Sequence, residues 1–171
     1  MSEQDGVPSP VTVTVRLLAA ADWAELRLAR LAALAEAPYA FSSTLAREQE
    51  FSEGLWRDRA GSGRTFGAWA GEAIVGLATG MPAAGGLDWH LVGMWVSPAW
   101  RGTGVADRLV GSVCELAQQH GARLVTLWVT EVNDRAKAFY RRMGFLPTGG
   151  RQLVRPDQPE HWETELARQL R

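Results

Sequence analysis

The chain has 171 residues, 46% of them hydrophobic, with 18 basic and 19 acidic side chains and a formal net charge of −1. That length buries a sizeable core without disulfide or metal staples. The near-neutral balance argues against a coat for nucleic acid or an acidic membrane, which needs a large basic surplus, so an anionic ligand must be met by local groups.

Residues 1–10, MSEQDGVPSP, read as a loose tail with acids and neither a basic nor an apolar leader, and no uncharged apolar run approaches a membrane span. The expectation is a cytoplasmic chain with no membrane and no nucleic-acid partner. VTVTVRLL then alternates as a strand, and AADWAELRLARLAALAEA places Trp23, Leu26, Leu31 and Leu34 near one helical face. Pro38 breaks that pattern, and Ser43 or Thr44 caps a second helix running through Phe51, Leu55 and Trp56 toward Gly61. RTFGAWAGEAIVGLATGM predicts two strands joined by a tight turn at Gly71-Glu72, and LDWHLVGMWVS a further strand.

A helix from about Gly102 to Gln119 sets Val105, Leu109, Val113 and Leu116 on one side and stops at Gly121. Cys114 lies within it among apolar neighbours, which predicts a small buried side chain; as the sole cysteine it forms neither a disulfide nor a cysteine zinc cluster within the chain. ARLVTLWVT is a buried strand, and NDRAKAFYRRMG a helix with Ala136, Phe139, Tyr140 and Met143 as its stripe, ending at Gly144. FLPTGG and HWETELARQL close the chain as two strands, the second equally compatible with a helix. The order, with no repeat or linker, predicts one domain over 1–171, an α/β (α+β) sheet of about six or seven strands with about four helices on its faces.

Residues 94–110, MWVSPAWRGTGVADRLV, run a strand into Pro98, Arg101 and two glycines directly ahead of the amphipathic helix. Unpaired N–H groups at such a helix start favour a phosphate. Gly102 and Gly104 let backbone close on a ligand oxygen, Thr103 adds a hydroxyl and Arg101 a cation. The same glycines also serve a plain sharp turn. A dinucleotide fingerprint fails, because Asp107 stands where its third glycine belongs, and a Walker A loop fails because the only lysine is Lys137.

VSPAWRGTGVADRLV resembles the acyl-CoA-binding motif of the GNAT acetyltransferase superfamily, R/Q-x-x-G-x-G/A, with Arg101, Gly104 and Ala106 at the motif positions. LWVTEVNDRAKAFYRRMGF resembles that superfamily's second signature, a strand, an Asn and a helix bearing Ala, Tyr and Gly-Phe, and the likeness spans about residues 73 to 148. The resemblance implies a GNAT-like fold with a mixed, mostly antiparallel sheet, and acetyl-CoA as cosubstrate with no metal. It implies that the amides of Gly102, Thr103, Gly104, Val105 and Ala106 hold a diphosphate. It further implies that Met94, Trp95 and Val96 splay from Leu127 to Thr130, leaving backbone for the pantetheine arm and an N–H near Met94 for the thioester carbonyl. Asn133 would hydrogen-bond the pantetheine, and Tyr140 would give a proton to the departing thiolate.

Asn133 and Tyr140 fall on one side of a helix, so one ligand can touch both. Asn133 is also a good N-cap, and Tyr140 belongs to a packing stripe. One of Arg135, Arg141 and Arg142 is a candidate for the 3′-phosphate. The proton lost by an amine acceptor would go to His90, Asp88, Glu131 or a water chain, His90 standing where many relatives carry a glutamate. Tyr39, Phe41, Trp56 and the RPDQP segment at 155–159 are candidates for the acceptor side, with core the better reading for Trp56. The expected activity is direct acetyl transfer from acetyl-CoA to a small-molecule or peptide amine, by a monomer or homodimer. A catalytically silent acyl-CoA sensor and an amide-cradled nucleotide binder are the alternatives.

Overall fold

A computed structural model describes residues 12–171, so the tail expected over 1–10 lies outside the described residues. Seven strands form one sheet in the order β1-β2-β3-β4-β5-β7-β6. They are β1 (Val13–Leu17), β2 (Thr65–Ala70), β3 (Ala73–Pro82), β4 (Asp88–Val96), β5 (Leu124–Thr130), β6 (Leu146–Leu153) and β7 (Trp162–Gln169). All neighbours run antiparallel except β4 and β5. The final segment, compatible with either state as sequence, is a strand because it inserts between β5 and β6 and pairs with β5 from Leu124–Gln169 to Thr130–Glu163.

Among the described residues five α-helices flank the sheet: α1 (Trp23–Glu36), α2 (Leu45–Gln49), α3 (Glu53–Ala60), α4 (Val105–Gln119) and α5 (Asp134–Arg142). The single helix expected between Thr44 and Gly61 is two. Thr44 caps the first by accepting from the Arg47 N–H, and Ser52, extended at ψ 158°, accepts from Leu55 and starts the second. A serine hydroxyl that satisfies a new helix start competes with continuing the old one.

The two faces carry separate cores. On one, Val105, Leu109, Val110, Val113 and Leu116 of α4 pack with Tyr140 and Phe145 on Leu91, Val96, Val125, Leu127 and Val129. On the other, Leu26, Ala33 and Leu34 of α1 and Trp56 of α3 pack on Ile74, Leu77 and Trp95. Trp56 is fully buried, as its core reading requires, and Phe41 joins the same cluster. Among the described residues no helix is long and apolar enough to cross a membrane.

One irregularity positions the site. β4 carries one residue more than β3 between the pairs Thr79–Val92 and Leu77–Trp95, a bulge at Gly93, whose φ of 62° suits glycine. Extra local twist at a bulge turns a strand out of its ladder. The parallel β4–β5 ladder accordingly holds only Asp88–Leu124, Trp89–Val125 and His90–Thr126, and the strands part beyond it.

Candidate active site

Where β4 and β5 part, a cleft of about 700 Å³ opens. Its walls are Met94, Trp95 and Val96 of β4, the loop into α4 with Arg101, Gly102, Gly104 and Ala106, the α5 side with Asn133, Ala136, Phe139 and Tyr140, and the end of α1. Nine of the residues expected at the site thus meet in one place, although they come from segments on both sides of β5. Gly102 and Gly104 both have positive φ, 78° and 85°, and Gly104 is the left-handed N-cap of α4. A Cβ built on either glycine would meet no protein atom within 4 Å, so the loop presents its backbone to open space. With the first-turn N–H groups of α4 behind it, this is a seat for an anion.

Some expected side chains are engaged elsewhere. Val105 is buried in the core, so only its backbone belongs to the loop. Thr103 donates its hydroxyl to the Trp100 carbonyl at 2.6 Å. Arg101 points back: its Nε donates to the Val96 carbonyl at 2.9 Å and its Nη2 to Glu36 at 2.7 Å. Arg101 therefore holds the loop to the end of β4 and α1. Glu36 also accepts from the Trp95 indole at 3.1 Å, and the hydrogen bond from Arg101 is the main reason its carboxyl lies below the usual range.

Glu36 was not an expected site residue, and the available signal was faint: an acid in the last turn of α1, where the helix dipole favours a cation, implies a partner from elsewhere. Asp107, at the cleft edge, is paired with Arg142, which offsets its charge at the anion seat. Arg135 lines the cleft with no ion pair among the described residues.

Asn133 caps α5, its Oδ1 accepting from the Ala136 N–H at 3.0 Å, and it also lines the cleft, so its two readings coexist. Tyr140 is 8% exposed, set edge-on to Phe139 and Phe145, and its hydroxyl has no hydrogen-bond partner among the described residues. Burial pushes that hydroxyl well above the usual tyrosine value, so it keeps its proton at neutral pH. A neutral phenol at a cleft wall is equipped to donate.

His90 is not brought to the cleft. It lies just before the bulge, on the face opposite α4, with Nδ1 2.6 Å from the Thr126 hydroxyl. Glu131 is half-exposed just after β5 and tied to Arg151, and Asp88 lies at the far end of β4, beside Leu124. Cys114 is buried, and burial raises its thiol, as a packing role requires. Among the described residues no group of three or more His, Cys, Asp or Glu is placed to hold a metal.

The sequence profile of a known family matches residues 28–145. An uncharacterized N-acetyltransferase of Methanocaldococcus jannaschii is 40% identical over 52 residues, 30% of this chain and 23% of that protein. The chain spans 23% to 41% of the length of the curated relatives it matches. Ard1 from Thermoplasma volcanium superposes with a TM-score of 0.70 at 18% identity, over 94% of this chain and 99% of that one. The yncA acetyltransferase of Salmonella typhimurium, solved with its cofactor acetyl-CoA, superposes with a TM-score of 0.75 at 15% identity, over 94% and 95%. These two likenesses carry the fold. With more than half of its residues matched by the profile, the chain belongs to the acetyltransferase (GNAT) family.

Proposed function

We propose that the 171 residues act as one unit that transfers an acetyl group from acetyl-CoA to an amine. The observation that carries this reading is the parting of β4 from β5 directly beside the open amides at the start of α4. An extended arm fits between the strands while its charged end rests on the loop. The donor set suits such a molecule: the amides from Gly102 to Ala106 face a diphosphate, and Arg135 offers a further cation to a phosphate.

Acetyl-CoA supplies the activated acyl group, and the protein supplies positions and protons. Beyond His90 the β5 side of β4 is unpaired, so backbone groups from Met94 to Val96, apart from the Val96 carbonyl that Arg101 holds, are free to bond the arm, and an N–H near Met94 to polarise the acyl carbonyl. The Asn133 side-chain amide, its oxygen committed to the cap, has its N–H groups left to donate to an arm carbonyl. Tyr140 gives its proton to the leaving sulfur, whose ordinary pKa of about 8.5 makes an aided departure faster.

Release of free thiol from acetyl-CoA, followed across a panel of amines, tests the reading. Turnover with at least one amine above the rate of hydrolysis is expected. Binding of acetyl-CoA without turnover over a broad panel would make the chain a sensor, and equal affinity for ADP and acetyl-CoA would make it a general phosphate binder.

A further inference from the structure

On the face of the sheet opposite α4 and α5, α1, α2 and α3 pack over the first four strands, and the Pro38–Ala40 turn that follows α1 reaches β5. Val125, Leu127 and Val129 of β5 point into the α4 core, so the alternating Thr126, Trp128 and Thr130 point to this other face. Across the β5–β7 ladder Thr130 stands opposite Glu163, and Trp128 opposite Glu165. Directly opposed side chains share a face, with Cβ atoms about 5 Å apart.

Two features of this patch lack an internal explanation. Thr130 is 3% exposed, and its hydroxyl has no partner among the described residues. Glu163 is half-buried, yet among the described residues its only side-chain hydrogen-bond partner is neutral, the Gln152 amide at 2.8 Å. Burial raises its carboxyl above the usual value, with no cation among the described residues offsetting it. Glu165 is likewise held by a hydroxyl, that of Thr148 at 2.6 Å, rather than by a cation. Half-buried carboxylates are ordinarily paired.

The register places this patch at the reacting end of the cleft. Counting from the last paired residues, His90 and Thr126, and allowing for the extra residue at Gly93, Thr130 lies level with Met94 and Trp95 across the gap. A donor filling the α5 side leaves the opposite face as the acceptor's approach. We propose that Thr130 and Glu163 form the seat of the acceptor amine, that Glu163 takes its proton, and that the acceptor is a di- or polycationic amine with no carboxylate near the reacting nitrogen. This rests on the reading of the chain as an N-acetyltransferase.

The steps balance. The ammonium gives one proton to Glu163, which passes it to bulk water, and the freed lone pair forms the C–N bond. The C–S bond breaks, and the nitrogen's second proton replaces the one that Tyr140 gives to sulfur. One proton is released per amide and thiol formed.

Three acceptors of equal length test the proposal: 1,4-diaminobutane, n-butylamine and 4-aminobutyrate, with acetyl-CoA, on wild type, Glu163→Gln, Thr130→Val and Thr130→Ser. The wild type is expected to prefer them in that order. Glu163→Gln, which keeps a carbonyl oxygen to accept from the Gln152 amide, is expected to lose about 100-fold in kcat and the acid limb of the pH profile. Its acetyl-CoA affinity and melting temperature are expected to stay unchanged. The other titratable groups bordering this face, Glu165, His90 and Tyr39, remain in that variant, so a lost limb belongs to Glu163. Thr130→Val is isosteric and expected to cost about tenfold in kcat/KM for the diamine, with Thr130→Ser restoring it. A wild type that binds acetyl-CoA but uses 4-aminobutyrate as well as the diamine, or uses none of the three, overturns this proposal alone. A Glu163→Gln variant with an intact limb does the same. A wild type that binds no acetyl-CoA overturns the underlying function as well.

Discussion

Tyr140→Phe separates chemistry from packing in one atom. The ring lies 5.1 Å from Phe139 and 5.8 Å from Phe145, edge-on to both, and a phenylalanine keeps these contacts. The hydroxyl has no hydrogen-bond partner among the described residues, so its removal strands no donor or acceptor, and folding stability should move by no more than about 0.5 kcal/mol. If the hydroxyl supplies the proton for thiolate departure, kcat should fall by about 10² to 10⁴, or roughly 2.7 to 5.4 kcal/mol on the barrier. Burial raises the hydroxyl and favours its neutral form, so the wild-type rate should show no alkaline limb from this group below about pH 10. Tyr140→Ala is the packing control, expected to cost about 3 to 5 kcal/mol because it hollows the core against Phe145. The assays are thiol release at saturating acetyl-CoA and thermal unfolding. A Tyr140→Phe kcat within about threefold of wild type would refute the donor role, and a melting loss as large as that of Tyr140→Ala would refute the account of the hydroxyl as structurally idle.

Two further predictions concern the loop and the fold beneath it. Gly104→Ala forces a side chain into a left-handed position at φ 85° with no atom to clash with, so strain alone should cost about 1 to 2 kcal/mol. That is a fall of roughly 2 to 6 °C in melting temperature for a domain of this size, and titration should show acetyl-CoA affinity at least about tenfold weaker as the new methyl covers the amides. Glu48, 2% exposed, accepts from Arg30 at 2.9 Å and from Arg59 at 3.0 Å, and Glu48→Gln leaves Arg30 buried without its counter-charge. A loss of about 3 kcal/mol is expected, read as a lower denaturant midpoint at unchanged slope. Burial pushes the Glu48 carboxyl up, but the two arginines outweigh it and hold the group below the usual value. Its contribution is therefore complete above about pH 4.3 and fades as pH falls through the folded value, a fade the glutamine variant should lack.

Features that depend on neighbours along the chain could be read from the sequence. Gly102 and Gly104 sit where only glycine turns easily into a helix start, Asn133 caps α5, and the stripe from Ala136 to Tyr140 faces one way, because each is decided within a helical turn or two. Even there, the competition between Thr44 and Ser52 to start a helix split one expected element into two. Tertiary structure alone decided what those elements meet. The insertion of β7 between β5 and β6, which sets Glu163 beside Thr130, carries no periodic signal, since a strand's partner does not alter its own alternation. Glu36 joins Arg101 across 65 residues through contacts that neither segment encodes alone. The single extra residue at Gly93 opens the cleft and changes which side chains of β4 face it, taking in Met94 and leaving out His90, because strand facing has a period of two and one inserted residue reverses it.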